Sequence, residues 1–96
     1  MVLEIAQFEV SAGNETAFEA GVAKALPLFE RAKGCGGAEL RRIVERPGQY
    51  VLLVRWQTVE DHTIHFRESQ DFQEWRRLVG SYFASPPAVF HAESLS

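Results

Sequence analysis

The sequence predicts an α+β fold of four antiparallel strands and two helices in the order β-α-β-β-α-β. Three observations predict it. Val2 to Val10 and Tyr50 to Trp56 carry apolar residues on both faces of an extended chain. Two stripes, Phe18–Val22–Leu26–Phe29 and Phe72–Trp75–Val79, recur at helical spacing. Turn residues separate these runs, at Ser11–Asn14, Gly34–Gly37, Arg46–Gln49 and Pro86–Pro87.

The elements follow in order. In the first strand Val2, Ala6, Phe8 and Val10 share a side, with Glu4 the exception, while Leu3 and Ile5 occupy the other. Ser11-Ala-Gly-Asn14 reads as a turn into a helix that Asn14 caps and Glu15 favours through the helix dipole. Pro27 lacks an amide proton and predicts a kink or a restart. Gly34 is the natural left-handed end of that helix. Ala38 to Arg46 reads as an edge or half-exposed strand, joined by the Arg46-Pro-Gly-Gln49 turn to a third strand. There Tyr50, Leu52, Val54 and Trp56 line one face and Val51 and Leu53 the other. Thr58-Val-Glu-Asp61 resembles a capping box for a helix reaching about Phe66. Ser69 caps a further helical piece, in which Tyr82 or Phe83 extends the stripe. Ala88 to Glu93 is a last short strand, with Ala88, Phe90 and Ala92 on one face and Val89 on the other.

This order is the ferredoxin-like split βαβ pattern, with the helices on one face of the sheet. Its 96 residues form a single domain spanning 1–96. Two helices cover one face of four strands, yet strands one, three and four are apolar on both. The uncovered face would expose a contiguous apolar patch, which predicts a homodimer packed sheet to sheet.

Composition narrows the function. Ten Lys+Arg against thirteen Asp+Glu leave a net charge of −3, which argues against a nucleic-acid partner. The single cysteine, Cys35, forms no intrachain disulfide, and it reads as a free thiol or as a small turn residue. No apolar run is long enough to span a membrane and no signal-like core opens the chain, so a cytoplasmic location is expected. Phosphate loops, nucleophile elbows and zinc-type cysteine pairs are missing, and Gly34–Gly37 follows a helix rather than preceding one.

His62 is the residue that stands out. With Val59 and Phe66 it falls on the stripe facing the sheet, either as a base active near neutral pH or as a buried histidine bonded to a carbonyl. His62-x-x-His65 lacks a third ligand, so no metal is expected, and Asp61 with His65 reads as a surface pair. Trp56, Phe66, Phe72, Trp75, Tyr82 and Phe83 either wall a flat apolar cavity or simply fill the core. Arg55 and Arg76 could present a cation to a phenolate or enolate. His91 alternates with Val89 and reads as a dimer-face or edge residue.

A wider pattern joins Leu3-Glu-Ile-Ala-Gln-Phe8, Lys33-Gly-Cys-Gly, Arg46-Pro-Gly-Gln-Tyr50 and Val54-Arg-Trp56. Glu60-Asp61-His62, Phe66-Arg-Glu-Ser69 with Phe72, and Pro86-Pro87 through His91 complete it. It resembles the antibiotic biosynthesis monooxygenase (ABM) domain family of the dimeric α+β barrel superfamily. The resemblance implies a ferredoxin-like monomer whose sheet builds a barrel across a homodimer. It also implies a cofactor-independent oxygenase acting on phenolic, quinol or anthrone-type aromatics, needing no flavin, haem or metal. By resemblance Trp56 matches a pocket tryptophan; His62 and Tyr82 are the catalytic candidates by position, with Trp56, Phe66, Phe72, Trp75 and Arg55 around the substrate. A haem-degrading branch uses an asparagine in the first strand and a histidine in the second helix. Here those regions offer Ala6 and Gln7, and Trp75 and Arg76, so haem degradation is not expected.

Two other readings compete. The same cavity serves a non-catalytic ligand-binding or stress-related protein, or a metabolite isomerase of the same family. An RNA-binding ferredoxin-like domain is set aside, because the basic-aromatic pattern it needs is missing.

Overall fold

The computed structural model describes residues 1–95. Strand β1 (Val2–Glu9) leads to helix α1 (Glu15–Glu30), then to strands β2 (Cys35–Arg42) and β3 (Gln49–Trp56). A π-helical turn (Asp61–Phe66), helix α2 (Gln70–Val79), a 3₁₀ turn (Gly80–Tyr82) and strand β4 (Ala88–Glu93) complete the chain. The strands lie in the order β2-β3-β1-β4 and every neighbouring pair is antiparallel. This is the expected ferredoxin-like βαββαβ sheet, with its helices on one face.

Alternation along the strands fixes that face. Ala6 pairs with Leu52 and Phe8 with Tyr50, and all four are buried beneath the helices. α1 contributes Phe18, Val22, Ala25, Leu28 and Phe29, and α2 contributes Trp75 and Val79. Aromatic edges interlock the layers. Phe29 lies 4.7 Å from Phe66 and 5.0 Å from Trp75, and Phe8 stacks on Phe83 at 5.0 Å. On the opposite face Leu3, Ile5, Val51 and Leu53 are half-buried and Phe90 is 46 % exposed.

Local chemistry explains most element ends. Arg46–Gln49 closes through Gln49 N–H donating to Arg46 O at 3.0 Å, with Pro47 second and Gly48 at φ 81° third, which makes a type II turn. Ser69 Oγ caps α2 by accepting from Phe72 N–H at 3.2 Å. Thr58 Oγ1 accepts from Asp61 N–H at 3.1 Å, which is half of the expected capping box.

Several local expectations are corrected. Asn14 makes no side-chain cap; its backbone sits at φ −105°, ψ 7° rather than extended, and Glu15 Oε1 instead accepts from Gly13 N–H at 2.8 Å. α1 runs past Pro27 unbroken, because the proline lies in the last turn where only one helical bond is lost. The helix ends at Arg31 in a right-handed conformation, and Gly34 at φ 78° shapes the following turn instead. β2 begins at Cys35, earlier than expected, with a bulge between Cys35 and Gly37. The helix expected to reach Phe66 is a wide turn in which Arg67 N–H donates to His62 O at 3.1 Å, five residues back.

Candidate active site

The strand register brings polar groups together beneath the helices. Glu4 on β1 is paired directly with His91 on β4, so both side chains leave the sheet on the same side. Glu4 is also paired with Val54, which puts Trp56 two residues along β3 on its diagonal. The π-helical turn then sets His62 over these three. Of the two positions expected for His91, dimer face or edge, the edge holds: it lies on an edge strand with its side chain toward the helices.

Contacts within the group are specific. Trp56 Nε1 donates to Glu4 Oε1 at 2.9 Å. His62 Nε2 lies 3.4 Å from the same oxygen. His62 Nδ1 is hydrogen-bonded to His91 Nε2 at 2.8 Å, and the imidazole of His62 stacks on Trp56 with ring centroids 5.5 Å apart and an interplanar angle of 13°. Glu4 is 4 % exposed and His62 3 % exposed, while His91 is half-exposed at the sheet edge.

Burial decides the charge states. It pushes the Glu4 carboxyl up to about 7, although the Trp56 indole and the nearby Arg67 guanidinium act to lower it. It pushes His62 down to about 4, assisted by Arg67 and then His91. His91 is also lowered, by burial first and Arg67 second. The contact of His62 with Glu4 is therefore not an ion pair near pH 7: the imidazole is neutral there, and the carboxyl passes between its neutral and ionised forms at about that pH.

A cavity of about 440 Å³ opens beside the pair. Glu4 and His62 form its polar end, and Phe8, Phe72, Trp75 and Phe83 supply aromatic walls. Arg67 and Arg76 bring two guanidinium groups to the same space, with Pro87 and Val89 closing one side from the β4 end. The arrangement suits a flat apolar molecule with one acidic proton: a carboxylate that titrates near neutrality faces it, and cations are ready for the resulting anion.

The structure brings together only part of the expected set. His62, Phe72, Trp75 and Arg76 line the cavity. Trp56 is fully buried behind Glu4, and Phe66 lies behind the aromatic wall against Phe29, Trp56 and Phe72. Tyr82 sits elsewhere, beside Gly21, Lys24 and Arg77. Arg55 emerges on the open face of the sheet near Leu3 and Ala92. Asp61 is buried against Gly34 instead of pairing with His65, which is exposed. Among the described residues no group of three or more His, Cys, Asp and Glu side chains could hold a metal ion. The Cys35 thiol is pushed up, chiefly by burial, and its Sγ accepts from Gly37 N–H at 3.4 Å.

Glu4 and Arg67 are the residues that sequence reasoning passed over. For Glu4 the signal was present, as a lone charge in an otherwise apolar stripe.

The family described as antibiotic biosynthesis monooxygenase (ABM) matches residues 1–78. The chain belongs to the ABM family. A solved ABM-like structure from Bordetella bronchiseptica, named "Putative antibiotic biosynthesis monooxygenase", is 53 % identical with a TM-score of 0.96, over 99 % of this chain and 97 % of that one. The Bacillus subtilis (strain 168) protein YczJ, described as uncharacterized, is 36 % identical over 95 residues, covering 99 % of this chain and all of its own. SnoaB from Streptomyces nogalater, named a cofactor-independent oxygenase and solved as a point mutant, shares the ABM fold at TM-score 0.78 and 20 % identity, over 98 % of this chain and 95 % of that one. Membership gives this chain the family and fold of proteins named for ABM-type monooxygenases. No helix among the described residues is long and apolar enough to cross a membrane.

Proposed function

We propose that the protein is a cofactor-independent monooxygenase that oxidises a small phenolic, quinol or anthrone-type aromatic with dioxygen. One observation carries this reading: a buried carboxylate held near pKa 7 at the polar end of an aromatic cavity. Glu4 removes the substrate proton, and Arg67 and Arg76 stabilise the anion that forms. That anion passes an electron to dioxygen within the apolar walls. For an anthrone-type methylene the balance is CH2 + O2 → C=O + H2O, and no other reductant is consumed.

His62 is the weaker base of the two. Its basicity is depressed to about 4, and both ring nitrogens already face partners. Trp56 positions Glu4 through its indole N–H, and Phe72 and Trp75 flank the ring of the substrate. Tyr82 and Arg55 take no part in this reading. A second copy of the chain covers the open sheet face, where Leu3, Ile5, Val51, Leu53 and Phe90 lie together; Phe90→Glu shifts a dimer to monomer in analytical ultracentrifugation.

The test is oxygen uptake with a panel of hydroquinones and anthrones, with and without EDTA. EDTA-insensitive uptake that falls roughly 100-fold in Glu4→Gln supports the reading. Uptake at background rates, with the same aromatics raising Tm, points to the ligand-binding reading.

A further inference from the structure

The substrate proton returns in the water formed, but Glu4 is 4 % exposed and must exchange its own proton with solvent to reach the ionised form that acts as the base. The geometry points to a two-histidine relay: His62 and His91 carry the proton between Glu4 and the sheet edge by exchanging tautomers together. This inference rests on the reading of Glu4 as the base.

Three facts support it. His62 Nε2 lies 3.4 Å from Glu4 Oε1, close enough that a small shortening and turn of the imidazole makes a hydrogen bond. His62 Nδ1 and His91 Nε2 are already bonded at 2.8 Å, so one ring donates and the other accepts. His91 stands half-exposed on the edge strand, where its Nδ1 is the remaining ring nitrogen of the chain of contacts.

Proton positions then follow by bookkeeping of donors and acceptors. With Glu4 ionised, His62 carries its proton on Nε2, facing the carboxylate, and His62 Nδ1 accepts from His91 Nε2–H. With Glu4 protonated, its O–H donates to His62 Nε2, His62 Nδ1–H donates to His91 Nε2, and His91 holds its own proton on Nδ1. Passing from the second state to the first moves three protons by one bond each and delivers one proton from His91 Nδ1 to water. Neither imidazole rests as a cation, which agrees with the burial of His62 and the nearby Arg67.

Other groups around Glu4 do not offer this route. The Trp56 indole only donates, Arg67 and Arg76 remain cations, and the Cys35 thiol on β2 is pushed up by its own burial. His62 and His91 are thus positioning residues that act through Glu4 rather than on substrate.

The test needs no substrate. Long-range nitrogen-15 NMR of the uniformly labelled protein reads which ring nitrogen of each histidine is protonated between about pH 5 and 9, a range that brackets the Glu4 value. The expected result is that His62 and His91 stay neutral and exchange tautomers together, with one midpoint near 7, and that Glu4→Gln abolishes the exchange. Either histidine holding one tautomer throughout, or charging to imidazolium at that midpoint, overturns the relay. The wild-type titration decides this even if the variant fails to fold. Failure of the relay leaves the base reading standing, since oxygen uptake tests Glu4 separately.

Discussion

Replacing Glu4 with glutamine should make the protein more stable at pH 8 and leave it unchanged near pH 4.5. The folded-state carboxyl is raised from 4.5 to about 7. A raised acid binds more protons folded than unfolded, so its stabilising share is complete below pH 4.5 and is lost as pH climbs to 7. A shift of that size corresponds to about 3 kcal/mol, an upper figure because the site can relax. His62 runs the other way. Its value falls from 6.5 to about 4, so its share is present above pH 6.5 and is lost as pH drops towards 4. Between about pH 4.5 and 6.5 the two slopes oppose and nearly cancel in the wild type. Glutamine keeps an oxygen for the Trp56 indole but removes the carboxyl slope, so the variant should gain stability with rising pH by about 1.4 kcal/mol per unit across that window. Urea unfolding followed by Trp56 and Trp75 fluorescence at pH 4.5, 5.5, 6.5 and 8 measures both curves. A variant less stable than wild type at pH 8, by about 3–5 kcal/mol, would mean that Glu4 and His62 form a true buried ion pair. That result would refute the argument against an ion pair and the base assignment with it.

Three further outcomes follow from the geometry. Ser69→Ala removes the acceptor for Phe72 N–H and should cost about 1 kcal/mol, read as a Tm drop of about 4–8 °C by differential scanning calorimetry. Gly34→Ala places a methyl group on the Asp61 carboxylate at a left-handed φ of 78°, and should cost about 2 kcal/mol or more in denaturant unfolding. Arg76→Gln should lower kcat for hydroquinone or anthrone oxidation by roughly 10-fold or more while leaving Tm near wild type, because its exposed guanidinium serves the anion formed in the cavity.

Much of the fold was legible because local chemistry and global packing agree. The Phe18–Val22–Phe29 stripe is buried as its spacing demands, and Pro47-Gly48 makes the turn its residue types favour. Arg31 and Asp71, which pair through two bonds of 2.8 and 2.7 Å between the ends of α1 and α2, carry no such local signal, since they meet only once the chain has folded. The π-helical turn escaped for a similar reason: His62 and Phe66 satisfy an ordinary helical stripe, and their shared contact with the Trp56 ring exists only in the folded chain. His91 could not be assigned a side, because β4 is apolar on both faces and only the Glu4 register orients it. Glu4 itself was visible as an anomaly. What the sequence did not contain was its neighbourhood, and it is the neighbourhood that raises the carboxyl to about 7 and makes it a candidate base.

The proposed chemistry also explains why a carboxylate on a strand is better placed than the histidine above it. A phenol of ordinary acidity has a pKa of about 10. Transfer of its proton to an unperturbed glutamate would run uphill by about 7 kcal/mol, and transfer to His62 as buried here by about 8 kcal/mol. Burial of Glu4 brings that gap down to about 4 kcal/mol, because the same desolvation that destabilises its charge raises its basicity. What remains has to come from stabilising the substrate anion rather than from the base. Arg67 and Arg76 are the groups in the cavity able to supply it, and because both are exposed their share grows as bound substrate displaces water from the aromatic walls. A guanidinium placed beside Glu4 itself would undo the arrangement by lowering the carboxyl again, and Arg67 already does so in part. The burial of Glu4 therefore has to outweigh both the Trp56 hydrogen bond and that pull, and its value near 7 shows that burial wins.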